Sequence, residues 1–177
     1  MLDPAQFASQ PAPGRSCGTC ALCCKVYDVP VLEKPAGSWC KHCTPGKGCG
    51  IHETRPDHCR AFHCLWITTD FLGPEWKPDR SAFVLSVDPV SRNLLVQVDP
   101  GRPGAWRAEP YMRQFRMWAE AGLSTGRHVI VYVNRSATAV LPDREVSLGT
   151  VGEGDRVVFS RTMTPNGPRL DVRKQSA

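Results

Sequence analysis

From residue 82 onward the apolar positions follow two clear periods. "AFVLSVDPVSRNLLVQVDP" carries two alternating apolar runs around Asp88-Pro89-Val90-Ser91, which predicts a β-hairpin. In "EPYMRQFRMWAEAGLSTG", Tyr111, Phe115, Trp118 and Ala119 recur at helical spacing, with Pro110 suited to a first turn and Gly122 to an end. One amphipathic helix is expected there, and Arg113 and Arg116 belong to its wet side. "HVIVYVNR", "ATAVLP", "EVSLGTV", "DRVVFSRTM" and "RLDVRK" then read as short strands. They are divided by Asn134, Pro142-Asp143, Gly152 to Gly154 and Pro165-Asn166-Gly167. A β-β-α-β order of this kind predicts an α+β module with a mostly antiparallel sheet.

The first part of the chain lacks either period. "DFLGPEWKPDRS" is a turn-rich connector, and before it all nine cysteines fall between Cys17 and Cys64. The expected organisation is a flexible lead-in over 1–16, a Cys-rich metal-binding segment over 17–70 with loops and short helices, and a β-rich α+β module over 71–177. The segment and the module are expected to pack as one unit. With 177 residues the chain can bury a real core and needs no staples merely to fold.

Composition narrows the function. The hydrophobic share of 41% and the charged share of 22% describe a globular chain, and no apolar run approaches the ~20 residues needed to span a bilayer. No membrane partner is expected. The N-terminal stretch has neither a basic n-region nor an apolar h-region, so a cytoplasmic location is expected. The net charge of +5 is spread thinly: residues 1–70 hold seven Lys/Arg against six Asp/Glu, and 71–177 hold fifteen against eleven. A binder of nucleic acid concentrates its basic residues, and this chain does not.

The cysteines carry the candidate chemistry. An odd count without an export signal argues against a disulfide framework, and so many thiols in a reducing compartment point to metal. "SCGTCALCCKVYDVP" places Cys17, Cys20, Cys23 and Cys24 within eight residues; "WCKHCTPGKGCGIHETRPDHCRAFHCLW" adds Cys40, Cys43, Cys49, Cys59 and Cys64. In C-x2-C a tight turn brings two thiolates to ~2.3 Å from one metal. The C-x2-C-x2-C run delivers three, as in iron–sulfur proteins that take a fourth ligand from farther along. Cys24, adjacent to Cys23, projects elsewhere and serves a second metal, another corner of a larger cluster, or none. Cys64 in "FHCLWI" reads as a core filler beside Phe62, Leu65 and Trp66. His42, His52, His58 and His63 share the stretch, but with thiolates in surplus each reads as a surface histidine. Arg55 and Arg60 are suited to offsetting thiolate charge, and Trp39 and Trp66 to shielding a metal or packing it on the sheet. No G-x-G-x-x-G, P-loop, H-E-x-x-H or G-x-S-x-G motif appears, and His58 beside Cys59 is only a weak sign of a nucleophilic cysteine.

"CGTCALCC" followed by "CGIHETRPDHCRAFHC" resembles the CxxCxxCC cysteine-cluster family, the YkgJ-type zinc- or iron-chelating domain, over about residues 17–66. The resemblance implies Cys17, Cys20, Cys23, Cys24, Cys40, Cys49 and Cys59 as the metal-binding set, with Arg55, Pro56 and Arg60 framing the last. Cys43 and Cys64 are additional to that pattern and are secondary candidates, and His52 stands where the family usually has Tyr. The implied function is a metal-binding protein holding zinc or iron, the latter as an iron–sulfur centre. An iron–sulfur-dependent oxidoreductase or protein-modifying enzyme is the first alternative, since bacterial proteins that methylate flagellin lysines are similar in carrying such a cluster. A zinc-stabilised module for nucleic acid or protein is the second.

Overall fold

Residues 10–165 and 167–176 are described by a computed structural model. Much of the expected lead-in, residues 1–9, lies outside the described residues, as does Asn166 of the last predicted turn. From Ala12 the chain is tied down. Ala12 N donates to Ile67 O at 2.8 Å, and the Arg15 guanidinium donates to the carbonyl oxygens of Trp66, Asp70 and Leu72 at 2.5, 2.9 and 2.5 Å.

The cysteine-bearing stretch is built from very short elements. Helix α1 covers Cys23–Val26, strands β1 (Cys43–Thr44) and β2 (Gly48–Cys49) form a small antiparallel pair, and helices α2 (Asp57–Ala61), α3 (Leu65–Thr68) and α4 (Pro78–Ser81) follow. None has the length to be stable in isolation, so the stretch depends on what its side chains meet. A 3-10 turn at Pro74–Trp76 lies within the turn-rich connector.

Alternation then takes over. Strands β3 (Phe83–Val87) and β4 (Leu94–Val98) form the expected hairpin. Asp88 Oδ1 closes its turn by accepting from Val90 N at 3.2 Å and Ser91 N at 2.6 Å. Helix α5 (Tyr111–Gly122) crosses to strand β5 (Val129–Val133), which pairs with β4 in parallel. Strands β6 (Ser136–Val140) and β7 (Glu145–Thr150) complete a five-stranded sheet of order β3-β4-β5-β6-β7, antiparallel at every other junction. The architecture is α+β, with a mostly antiparallel sheet and one amphipathic helix, α5. Strands β8 (Arg156–Thr164) and β9 (Gly167–Gln175) form a separate hairpin.

The sheet is covered on both faces at its β3 side, where Phe83, Val84 and Leu85 are all buried. Phe83 and Leu85 face the main core with Val96, Trp106 and Phe115, while Val84 packs with Leu22 and Val26 of the cysteine stretch. Burial of each such large apolar side chain is worth about 1.5–3 kcal/mol. Trp76 lies 4.9, 5.8 and 5.3 Å from the rings of Tyr111, Phe115 and Trp118. Gly122 ends α5 because a Cβ there would stand 2.0 Å from the Arg127 carbonyl oxygen. Polar links bind the cysteine stretch to the sheet side: Lys25 Nζ pairs with Asp99 Oδ1 at 2.6 Å and Tyr27 Oη with Ser86 Oγ at 3.1 Å; Trp66 Nε1 donates to Gly73 O of the connector at 3.1 Å.

Candidate metal centre

Three local devices position the thiols. In the C-x2-C stretches at 17–20 and 40–43 the later cysteine's amide returns to the earlier carbonyl, Cys20 N to Cys17 O and Cys43 N to Cys40 O, both at 2.9 Å. Left-handed backbone at Gly18 serves the first turn, and at Gly46 and Gly48 the connection between β1 and β2. Cys23 and Cys24 are the first two residues of α1, so their side chains leave the helix about 100° apart. Cys43 and Cys49 face each other across β1 and β2. Cys40 is brought in by its amide, which donates to Cys24 O at 3.0 Å. Cys59 lies on α2, whose start is framed by Arg55 donating to Cys59 O at 3.3 Å and to His52 O at 2.5 Å. Arg60 donates back to Arg55 O at 3.2 Å.

The thiols fall into two neighbourhoods. Cys17, Cys20, Cys23 and Cys64 line one cavity of about 40 Å³, together with Trp66 and Lys77. Cys24 turns the other way and hydrogen-bonds to the thiols of Cys43 and Cys49, while Cys59 faces Cys24, Cys40 and Cys49. The neighbourhoods meet at the Cys23–Cys24 thiol hydrogen bond, and the Cys24 charge also reaches Cys17. All nine cysteines are free, and only Cys40 is buried.

Electrostatics differ between them. The Cys23 thiol donates to Cys24, which holds Cys24 down at about 6 and drives Cys23 up; burial adds to the rise of Cys23. Cys43 and Cys49 also favour the Cys24 thiolate by hydrogen bonding, as does the charge of Lys34. Burial, then the Cys24 charge, pushes Cys43 up to about 12 and raises Cys59. Burial raises Cys17 and Cys20 and pushes Cys64 up to about 11. Backbone amides oppose this: those of Leu22 and Asp79 are aimed at Cys20, and those of Ile67 and Trp66 at Cys64.

Sequence reasoning missed Lys34. It is 5% exposed, and its ammonium donates to Lys25 O at 2.8 Å and to Tyr27 O. Burial lowers its pKa, and the charges facing it are those of Cys24, Cys40, Asp28 and Cys23. Lys77 was missed too; it faces Cys17 and Cys20 and lies 5.5 Å from the Trp66 ring. Cys64, expected to fill core space, does touch the small core around Leu22, Val26 and Val84, but it also joins Cys17, Cys20 and Cys23 at the cavity. Trp66 walls that cavity, whereas Trp39 is 40% exposed with Lys25 Nζ 5.3 Å from its ring. His52 and His58 are exposed; His63 is half-buried at the cavity.

Among the described residues, no group of three or more His, Cys, Asp and Glu side chains is drawn together closely enough as it stands to hold a metal ion. None of their helices is long and apolar enough to cross a membrane. The fold and thiols together define an α+β protein with a cysteine-rich layer on one side of its sheet. No family model, curated protein or solved structure matches the chain.

Proposed function

We propose that this is a cytoplasmic metal-binding protein whose cysteine layer holds zinc or an iron–sulfur centre. One observation carries the reading: nine free thiols, drawn from distant points of the first 64 residues, are gathered into two neighbourhoods rather than joined or dispersed. Free thiols in such number suit a reducing compartment. The donor set fits a thiophilic ion, since Cys24 is already within hydrogen-bond range of Cys23, Cys43 and Cys49 and a metal replacing those protons would draw the sulfurs together. Positive charge for a thiolate centre is supplied by Lys34, Lys77 and Arg55. Seven of these nine cysteines, all but Cys43 and Cys64, carry the resemblance to the CxxCxxCC family. Bound zinc would contribute folding energy, and an iron–sulfur centre would add one-electron chemistry.

Anaerobic purification followed by metal analysis and absorption spectroscopy tests the proposal. Stoichiometric zinc, or iron with a band at about 400 nm from thiolate-bound clusters, supports it. Protein that emerges metal-free and takes up neither metal on reconstitution overturns it.

A further inference from the structure

We infer that Cys17, Cys20, Cys23 and Cys64 form a closed four-thiolate site for a single divalent ion of the zinc class, separate from the group around Cys24. This inference rests on the metal-binding reading above and adds the division into two centres and the fourth ligand.

Cys64 is the deciding residue. It lies 41 positions beyond Cys23 and only a C-x4-C interval after Cys59, yet α3 brings its thiol to the cavity that the C-x2-C-x2-C run lines. The cavity's 40 Å³ is room for about three water molecules, enough for one ion among four sulfurs. Its four thiols come from the turn at 17–20, the start of α1 and the start of α3, and Lys77, Pro78 and Val84 complete the wall.

The surroundings are arranged for sulfur that bears charge. A neutral thiol is a weak acceptor, and backbone amides aimed at a sulfur favour its thiolate form. Cys20 receives the amides of Leu22 and Asp79, and Cys64 those of Trp66 and Ile67. A zinc tetrathiolate carries net charge −2, and such amides are its usual partners. Lys77 and Arg55 bring opposite charge to Cys17, and Lys77 also to Cys20, against which Asp79 acts.

Cys24 leaves α1 about 100° from Cys23 and, beside its hydrogen bond to Cys23, bonds to Cys43 and Cys49, which assigns it to the group of the five remaining thiols.

The test loads the full-length protein anaerobically with cobalt and counts ions per chain from thiolate-to-cobalt absorption. Two ions are expected. Cys64→Ser should reduce the count to one and halve the charge-transfer intensity; Cys49→Ser should leave the Cys64 site filled. An unchanged count in Cys64→Ser overturns the assignment, and so does a wild-type count of one. A cluster band at about 400 nm that vanishes with Cys64→Ser overturns the single-ion claim. Cadmium NMR of the unmutated protein guards against a variant that fails to fold. The Cys64 β-protons should correlate with the same cadmium as those of Cys17, Cys20 and Cys23, and correlation with the cadmium of Cys43 or Cys49 overturns the division. Wild-type protein that binds neither cobalt nor cadmium defeats the metal-binding reading itself, a result distinct from all of these.

Discussion

Lys34 concentrates the electrostatic logic of the cysteine layer in one side chain. Lys34 as a residue is 5% exposed, and two carbonyl oxygens replace part of the hydration its ammonium loses. Carbonyl dipoles alone do not neutralise a charge, so the burial is costly unless an anion stands nearby. Cys24, Cys40, Asp28 and Cys23 face it, in that order of effect. With thiolate-bound metal there, Lys34→Met should weaken binding at the Cys24 group by about 10- to 100-fold, as loss of an outer partner typically does, and leave the Cys64 site untouched. Chelator competition on the two sites measures this; equal affinities for variant and parent would show that the charge is not directed at the metal. Nothing in "VLEKPAG" distinguishes this lysine from a surface one. Its burial comes from the bend that returns residues 29–34 onto α1, where Val29 and Lys34 exchange backbone hydrogen bonds. The C-x2-C turns were legible for the opposite reason: their geometry is closed within four residues.

Elements with a regular period were read from sequence because side-chain burial repeats with the backbone. The β3–β4 hairpin, α5 and the later strands follow that rule. The connector before β3 did not, because Gly73, Pro74 and Pro78 mark turns and conceal that the turn at Pro74–Trp76 drives Trp76 into the aromatic core. At the other end, the β8–β9 hairpin is attached through a few contacts. Phe159 stacks on His128 with centroids 3.5 Å apart and planes 11° apart, Arg161 donates to Leu123 O, and Lys174 donates to Thr150 O at 2.8 Å. Burial, then the charge of Arg161, lowers His128 from 6.5 to about 4. The unfolded chain therefore takes up a proton at His128 before the folded chain does. Stability from this group is fully present above pH 6.5 and is lost as the pH falls toward about 4. His128→Phe keeps a ring against Phe159 and removes the titration, so its unfolding midpoint should decline less than the parent's between those values. Parallel pH profiles for the two proteins would show that His128 is not held neutral.

At the scale of the molecule, two kinds of cohesion meet at β3. The main core, with Phe83, Leu85, Val96, Trp106 and Phe115, is a continuous apolar body between the sheet and α5 and needs no ion. The cysteine layer has the small cluster of Leu22, Val26 and Val84, Leu65 of α3 set into the main core, and a few polar links such as Lys25–Asp99, which is little for short helices that cannot stand alone. The end of the cysteines at Cys64 made this boundary visible in the sequence, but the division of the thiols was not. That division depends on which way Cys23 and Cys24 leave α1 and on where the chain returns at Cys64. If metal supplies the missing cohesion, binding energy and folding energy in the layer are one quantity. A strong chelator under reducing conditions should then expose amides of residues 17–64 to rapid hydrogen exchange, while β3 to β7 and α5 stay protected. Val84 should be the point of contact between the two behaviours, since it belongs to the sheet and to the layer's own cluster. Exchange in the layer that is unchanged by chelation would show that it is held by packing alone, and loss of protection throughout the sheet would show that the two layers fold as one unit.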